Sequence, residues 1–129
     1  MHERALQQLP RLVVLISGGG SNLQALIDAI SLGLIDATIE LVISNKADAL
    51  GLARAHKADI ETRVIDHLGF GSREGFDKEL THIIDDKKPD LVVLAGFMRI
   101  FTPQLTHHYH GRMLNIPPSL LPQFKGINT

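Results

Sequence analysis

The sequence predicts a three-layer α/β domain, a parallel sheet with helices on both faces. Three observations carry this reading. Short apolar runs alternate with longer amphipathic ones along the chain, which is the sequence form of successive βα units. Two of the short runs, Leu12-Val13-Val14-Leu15-Ile16 and Leu91-Val92-Val93-Leu94-Ala95, are apolar at every position, as suits central strands buried from both sides. The length of 129 residues fits one domain, able to bury roughly two thirds of its unfolded surface.

Strands are expected at residues 11–17, 38–44, 61–66, 90–95 and 112–116, with the two all-apolar ones as neighbours. After the first strand, Ser21 or Asn22 is positioned to cap a helix whose Leu23, Leu26, Ile27 and Ile30 share one face, and Gly33 stops it. Residues 47–57 and 72–86 read as further helices. Phe76, Leu80, Ile83 and Ile84 form the buried stripe of the latter and Pro89 closes it. A shorter helix over 103–109 opens on Pro103. Beyond Ile116, prolines 117, 118 and 122 remove donors and fix φ, so a rigid loop is expected at the carboxyl end of the last strand. Residues 7–10 read as a short linker, and the chain has no internal repeat.

Composition excludes several function classes. Thirteen Lys+Arg against fourteen Asp+Glu leave a net charge of -1, without the basic footprint of a nucleic-acid or anionic-membrane binder. The absence of cysteine removes disulfides, thiol nucleophiles and Cys-ligated zinc, and agrees with a cytoplasmic setting. No apolar run approaches the length of a membrane span, and Met1-His2-Glu3-Arg4 does not open like a secretory signal.

The segment Ser17-Gly18-Gly19-Gly20-Ser21-Asn22 lies where a buried strand turns into a helix. Backbone N–H groups and the positive end of the helix dipole converge there on the place an anion would occupy. The spacing is not the dinucleotide fingerprint, because Leu23 stands where the third glycine belongs, and no Walker Gly-Lys-Ser/Thr follows. A tight turn that needs glycine and binds nothing is the competing reading. Ser44-Asn45-Lys46 after the second strand offers no acid for an NAD ribose, although Lys46 suits a 2′-phosphate and keeps an NADP-binding domain as an alternative. Asn115, at the carboxyl end of the last strand, can donate to a developing oxyanion or serve as a turn residue. Arg73 and Arg99 lie near carboxyl edges and can hold an anionic ligand. His107, His108 and His110 crowd one helix end, but only the outer two share a face and no carboxylate adjoins them in sequence, so no metal site is expected.

Taken together, Arg11-Leu-Val-Val-Leu-Ile-Ser-Gly-Gly-Gly-Ser-Asn-Leu-Gln24, Ser44-Asn-Lys-Ala-Asp48, Ser72-Arg-Glu74, Leu94-Ala-Gly-Phe-Met-Arg-Ile100, Leu114-Asn-Ile116 and Pro118-Ser-Leu-Leu-Pro122 closely resemble the phosphoribosylglycinamide formyltransferases of purine biosynthesis. The resemblance runs from Arg11 to Thr129. It implies a Rossmann-like fold, with a five-stranded parallel sheet in the order 3-2-1-4-5, and transfer of a formyl group from 10-formyltetrahydrofolate to the amine of glycinamide ribonucleotide. By position, it assigns Gly20, Ser21, Asn22, Leu23 and Gln24 to the ribonucleotide and its phosphate. Arg73, Met98, Arg99, Ile100 and Phe101 fall on the folate side, and Asn115 becomes a catalytic amide.

The chain also departs from the family. Where the family reads Asn-x-His-Pro, this sequence reads Asn115-Ile116-Pro117-Pro118, and a proline side chain can neither donate nor accept a proton. The family's catalytic aspartate would follow beyond Thr129. In the family, the Gly-x-x-Thr that Gly126-Ile-Asn-Thr129 matches is followed by His and an Ala-Leu helix, and His2-Glu-Arg-Ala-Leu6 stands instead at the front of this chain. The resemblance therefore implies a circular permutation, with a helix over 2–8 joined through 7–10 to the first strand; a plain N-terminal extension is the alternative. The expectation is an engineered-looking, catalytically impaired enzyme that keeps a site for glycinamide ribonucleotide or phosphate. It should have no tightly bound cofactor, poor affinity for 10-formyltetrahydrofolate, no nucleic-acid or membrane partner, and a surface open to self-association. A ligand-free structural module is the other alternative.

Overall fold

The structure is a computed structural model that describes residues 9–116. The expected helix over 2–8, residues 7 and 8 of the linker, the proline loop and Pro117 itself lie outside the described residues. Five strands, β1 (Arg11–Ile16), β2 (Thr38–Ser44), β3 (Thr62–Val64), β4 (Leu91–Leu94) and β5 (Met113–Asn115), form one parallel sheet in the order β3-β2-β1-β4-β5. That is the expected order, and the two all-apolar strands, β1 and β4, are neighbours. Four α-helices connect them: α1 (Ser21–Ser31), α2 (Gly51–Lys57), α3 (Arg73–Asp86) and α4 (Pro103–His108).

The side-chain period of two in a strand sends alternate residues of β1 into two separate cores. Leu12, Val14 and Ile16 pack with Leu23 and Leu26 of α1 and Ala55 of α2. Val13 and Leu15 pack with Phe76, Leu80 and Ile84 of α3 and with Leu105 and Tyr109 at α4. A run that is apolar throughout is thus required, because neither face of β1 meets water.

The elements differ from expectation at their ends, for local reasons. β3 and β5 are shorter than expected, because among the described residues each is a terminal strand of the sheet and pairs on one side, over three residues. α2 begins at Gly51 and not at Ala47, because the Ser44 hydroxyl accepts from Lys46 N at 3.0 Å and donates to Lys46 O at 2.7 Å, which turns the chain before a helix can start. α3 is capped by Ser72, whose Oγ accepts from Gly75 N at 3.0 Å, an interaction that contributes about 1 kcal/mol.

α3 and α4 are joined by a polar cluster. The fully buried Tyr109 donates its hydroxyl to Asp85 Oδ1 at 2.8 Å, and His108 Nε2 lies 2.7 Å from Asp85 Oδ2. The carboxylate that sequence spacing does not place beside the histidines is therefore supplied from α3. Burial, reinforced by the bond to Asp85, pushes the Tyr109 phenol above its ordinary range. The unfolded chain releases this proton near pH ~10 while the folded protein keeps it, so stability present below that pH is lost as the pH rises further. Tyr109→Phe should cost roughly 1 kcal/mol at neutral pH and flatten the alkaline decline, as read by urea unfolding at about pH 8 and about pH 11.

Candidate functional site

The strand order reverses at β1, which has β2 on one side and β4 on the other. In open parallel sheets the crevice beyond the carboxyl ends of such strands is where ligands bind. Two loops meet there. The buried Ser17 hydroxyl accepts from Met98 N at 2.8 Å, and Ala95 N donates to Leu15 O at 2.9 Å, so the loop after β1 and the loop after β4 lie side by side.

The glycine loop is shaped by α2. Gly20 has φ +79°, and a Cβ built on it would lie 2.5 Å from the Gly51 Cα, so this position needs glycine both for its conformation and for its close neighbour. Gly20 itself is the N-cap of α1, with no side-chain cap bond. The expectation that Ser21 or Asn22 caps the helix is thereby corrected: the left-handed turn at Gly20 places them inside the first turn. Among the described residues no side chain caps these first-turn N–H groups, an arrangement that can accept an anion.

Gly18 O accepts from Gly51 N at 3.0 Å, and Gly19 O accepts from Arg54 Nε at 2.7 Å. A trans peptide points its N–H opposite to its C=O, and the described chain has no cis bond. The N–H groups of Gly19 and Gly20 are consequently turned away from α2. Carbonyls drawn back and amides turned outward make a loop suited to negative charge.

The residues assigned to the ribonucleotide take distinct positions around this loop. Ser21 is exposed, while Leu23 is buried and can offer only its backbone amide. Asn22 Nδ2 donates to Ile116 O at 3.1 Å, which ties the first turn of α1 to the end of β5 beside the exposed Asn115. The glycine loop and Asn115 thus share one edge of the sheet. The Gln24 amide is engaged within the protein, accepting from Arg54 Nη1 at 3.3 Å and donating to Asp28 Oδ1 at 2.9 Å.

On the other side of the crevice, side chains alternate in direction. Met98 and Ile100 are exposed at 77% and 73%, whereas Phe97 and Phe101 stack at 5.4 Å and the Arg99 guanidinium sits 4.0 Å above the Phe76 ring. Arg73 is exposed at the start of α3. Asp77, 3% exposed, accepts from Thr102 N at 2.7 Å and so anchors the end of this loop to α3. Asp77 and Arg54 are the residues that sequence reading missed. Neither belongs to a recognisable spacing, and each acts on backbone far away in sequence.

The remaining expectations are simpler. Lys46 shares a shallow pocket with Asp48 and Asp66, surroundings ill-suited to the 2′-phosphate of NADP. Among the described residues no group of three or more His, Asp or Glu can hold a metal ion, and no helix is long and apolar enough to cross a membrane.

A parallel sheet in this order, with a glycine loop and an asparagine at one carboxyl edge, defines the class as an open-sheet α/β protein. Residues 10–129 match the family described as formyl transferase, and the chain belongs to that family. It is 57% identical over 118 residues to the phosphoribosylglycinamide formyltransferase of Escherichia coli (strain K12), covering 92% of this chain and 56% of that protein. It is 50% identical to the trifunctional purine biosynthetic protein adenosine-3 of Homo sapiens, covering 92% of this chain and 12% of the relative. The solved phosphoribosylglycinamide formyltransferase of Coxiella burnetii superposes with a TM-score of 0.83 at 53% identity, covering 94% of this chain and 57% of that one. The chain therefore spans little more than half the length of these single-function relatives.

Proposed function

We propose that this chain forms the ribonucleotide side of a formyl transfer site, in which Gly20, Ser21, Asn22, Leu23 and Gln24 surround the phosphate of glycinamide ribonucleotide, and that Pro117 impairs the transfer itself. The observation that carries this reading is the start of α1 at Gly20, which has no side-chain cap bond, with the Gly18 and Gly19 carbonyls held against α2. Donors at a helix start are fixed before the ligand arrives, so a phosphate meets them without reorganisation.

In the transfer reaction the ribonucleotide amine attacks the formyl carbon, negative charge develops on the formyl oxygen, and the C–N10 bond breaks as the proton lost by the amine passes to N10, so that tetrahydrofolate leaves neutral at that nitrogen. Asn115, on the same edge as the loop, is the amide that would donate to that oxygen. Arg73, Met98, Arg99, Ile100 and Phe101 would face 10-formyltetrahydrofolate, with Met98 and Ile100 offering exposed apolar contact and Arg99 already held against Phe76. Proline at position 117 supplies neither a donor nor a proton at the reacting carbon. The setting is cytoplasmic purine biosynthesis.

Calorimetric titration with glycinamide ribonucleotide and separately with NADPH tests the reading. Heat of binding from the ribonucleotide alone is expected. Binding of NADPH alone, or of neither, would overturn it.

A further inference from the structure

Arg54 reaches from α2 to the back of the glycine loop. Its Nε donates to Gly19 O at 2.7 Å and its Nη1 to Gln24 Oε1 at 3.3 Å, while Gln24 Nε2 donates to Asp28 Oδ1 at 2.9 Å. One planar guanidinium therefore grips both the loop and the side of α1, and its rigid fork sets the angle between them. The peptide between Gly19 and Gly20 is flanked by glycine on both sides, so its rotation meets little steric resistance. Such a flip would aim a carbonyl oxygen where the Gly20 N–H now points.

We infer that Arg54 is a positioning residue for oxyanion binding: by holding Gly19 O it keeps the glycine loop in the one arrangement whose amides face the ligand. The inference rests on the phosphate reading of the loop given above. Its physical basis is that apparent affinity falls in proportion to the fraction of protein in the binding-competent state. Arg54 also borders an open cavity of about 530 Å³ between α1, α2 and the start of β2, lined in addition by Ile27, Lys57 and Ile60. A small cation can therefore reach the place that a truncated Arg54 would leave.

The test compares the unaltered chain with Arg54→Ala and Arg54→Lys, each checked for folding by thermal melting. Amide ¹⁵N order parameters of Gly19 and Gly20 are measured without ligand, and the same amides are followed during titration with inorganic phosphate. Arg54→Ala should lower both order parameters and weaken phosphate binding about tenfold or more, and ethylguanidinium should restore much of the loss. Arg54→Lys keeps the charge without the fork and should recover only a minor part of the affinity.

Unchanged order parameters in Arg54→Ala would overturn the inference whatever the ligand result, and so would full recovery in Arg54→Lys, which would reduce the residue to a through-space charge. An absence of phosphate shifts in the unaltered chain would instead remove the phosphate reading, with the ligand-free order parameters still deciding whether Arg54 holds the loop. Should Arg54→Ala fail to fold, the lysine variant carries both measurements.

Discussion

Formyl transfer from 10-formyltetrahydrofolate to glycinamide ribonucleotide is expected to run at least two decades slower in this chain than in family members that carry the motif histidine. A positioned proton donor typically contributes about two to four decades of rate, and the tertiary amide at Pro117 provides nothing equivalent. The cleanest measurement is the reciprocal exchange, in which the motif histidine of a longer relative is replaced by proline and kcat is compared with KM for the ribonucleotide. A fall of roughly 10² to 10⁴ in kcat is expected with little change in that KM, because the glycine loop is untouched. Turnover within tenfold of the parent would show that the histidine position is dispensable.

Gly20→Ala should be strongly destabilising. The added methyl must occupy φ +79° and would lie 2.5 Å from backbone, the Gly51 Cα, which cannot swing aside as a flexible side chain can. Left-handed strain and the forced separation of the loop from α2 together are expected to cost about 3 kcal/mol. Thermal melting should fall by roughly 10 °C or more, with phosphate binding lost. Gly33→Ala, at a similar φ of +78° but with open space around its Cβ, should cost only the strain, about 1–2 kcal/mol. Equal losses at the two positions would mean that the Gly20–Gly51 approach is unimportant.

Much of the fold was legible because the sheet is buried on both faces. β1 and β4 had to be apolar throughout, and that requirement is visible without knowing any contact. β2 was legible to the residue. The start of α2 was not, since a hydroxyl–backbone turn at Ser44 competes with a helix that composition alone favours. The capping of α1 was misread for a tertiary reason: Gly20 adopts its conformation against Gly51, a residue with no local signal of that role. The candidate site was legible as a glycine loop and an edge asparagine, but the residues that brace the loops around it, Arg54 and Asp77, act on the carbonyl of Gly19 and the amide of Thr102. Such bonds depend on the folded path of the chain and leave no spacing to read. The pairing of His108 with Asp85 was hidden in the same way.

The loop between β1 and α1 is proposed to recognise the phosphate of a ribonucleotide. The most direct measurement is an amide NMR titration with glycinamide ribonucleotide beside the same titration with its dephosphorylated riboside. Saturable shifts are expected at Gly19, Gly20, Ser21, Asn22 and Leu23 with the nucleotide and almost none there with the riboside, because no described side chain caps this helix start and its amides can meet a phosphate. Equal shifts with both compounds, or nucleotide-induced shifts confined to residues outside this loop, would contradict it.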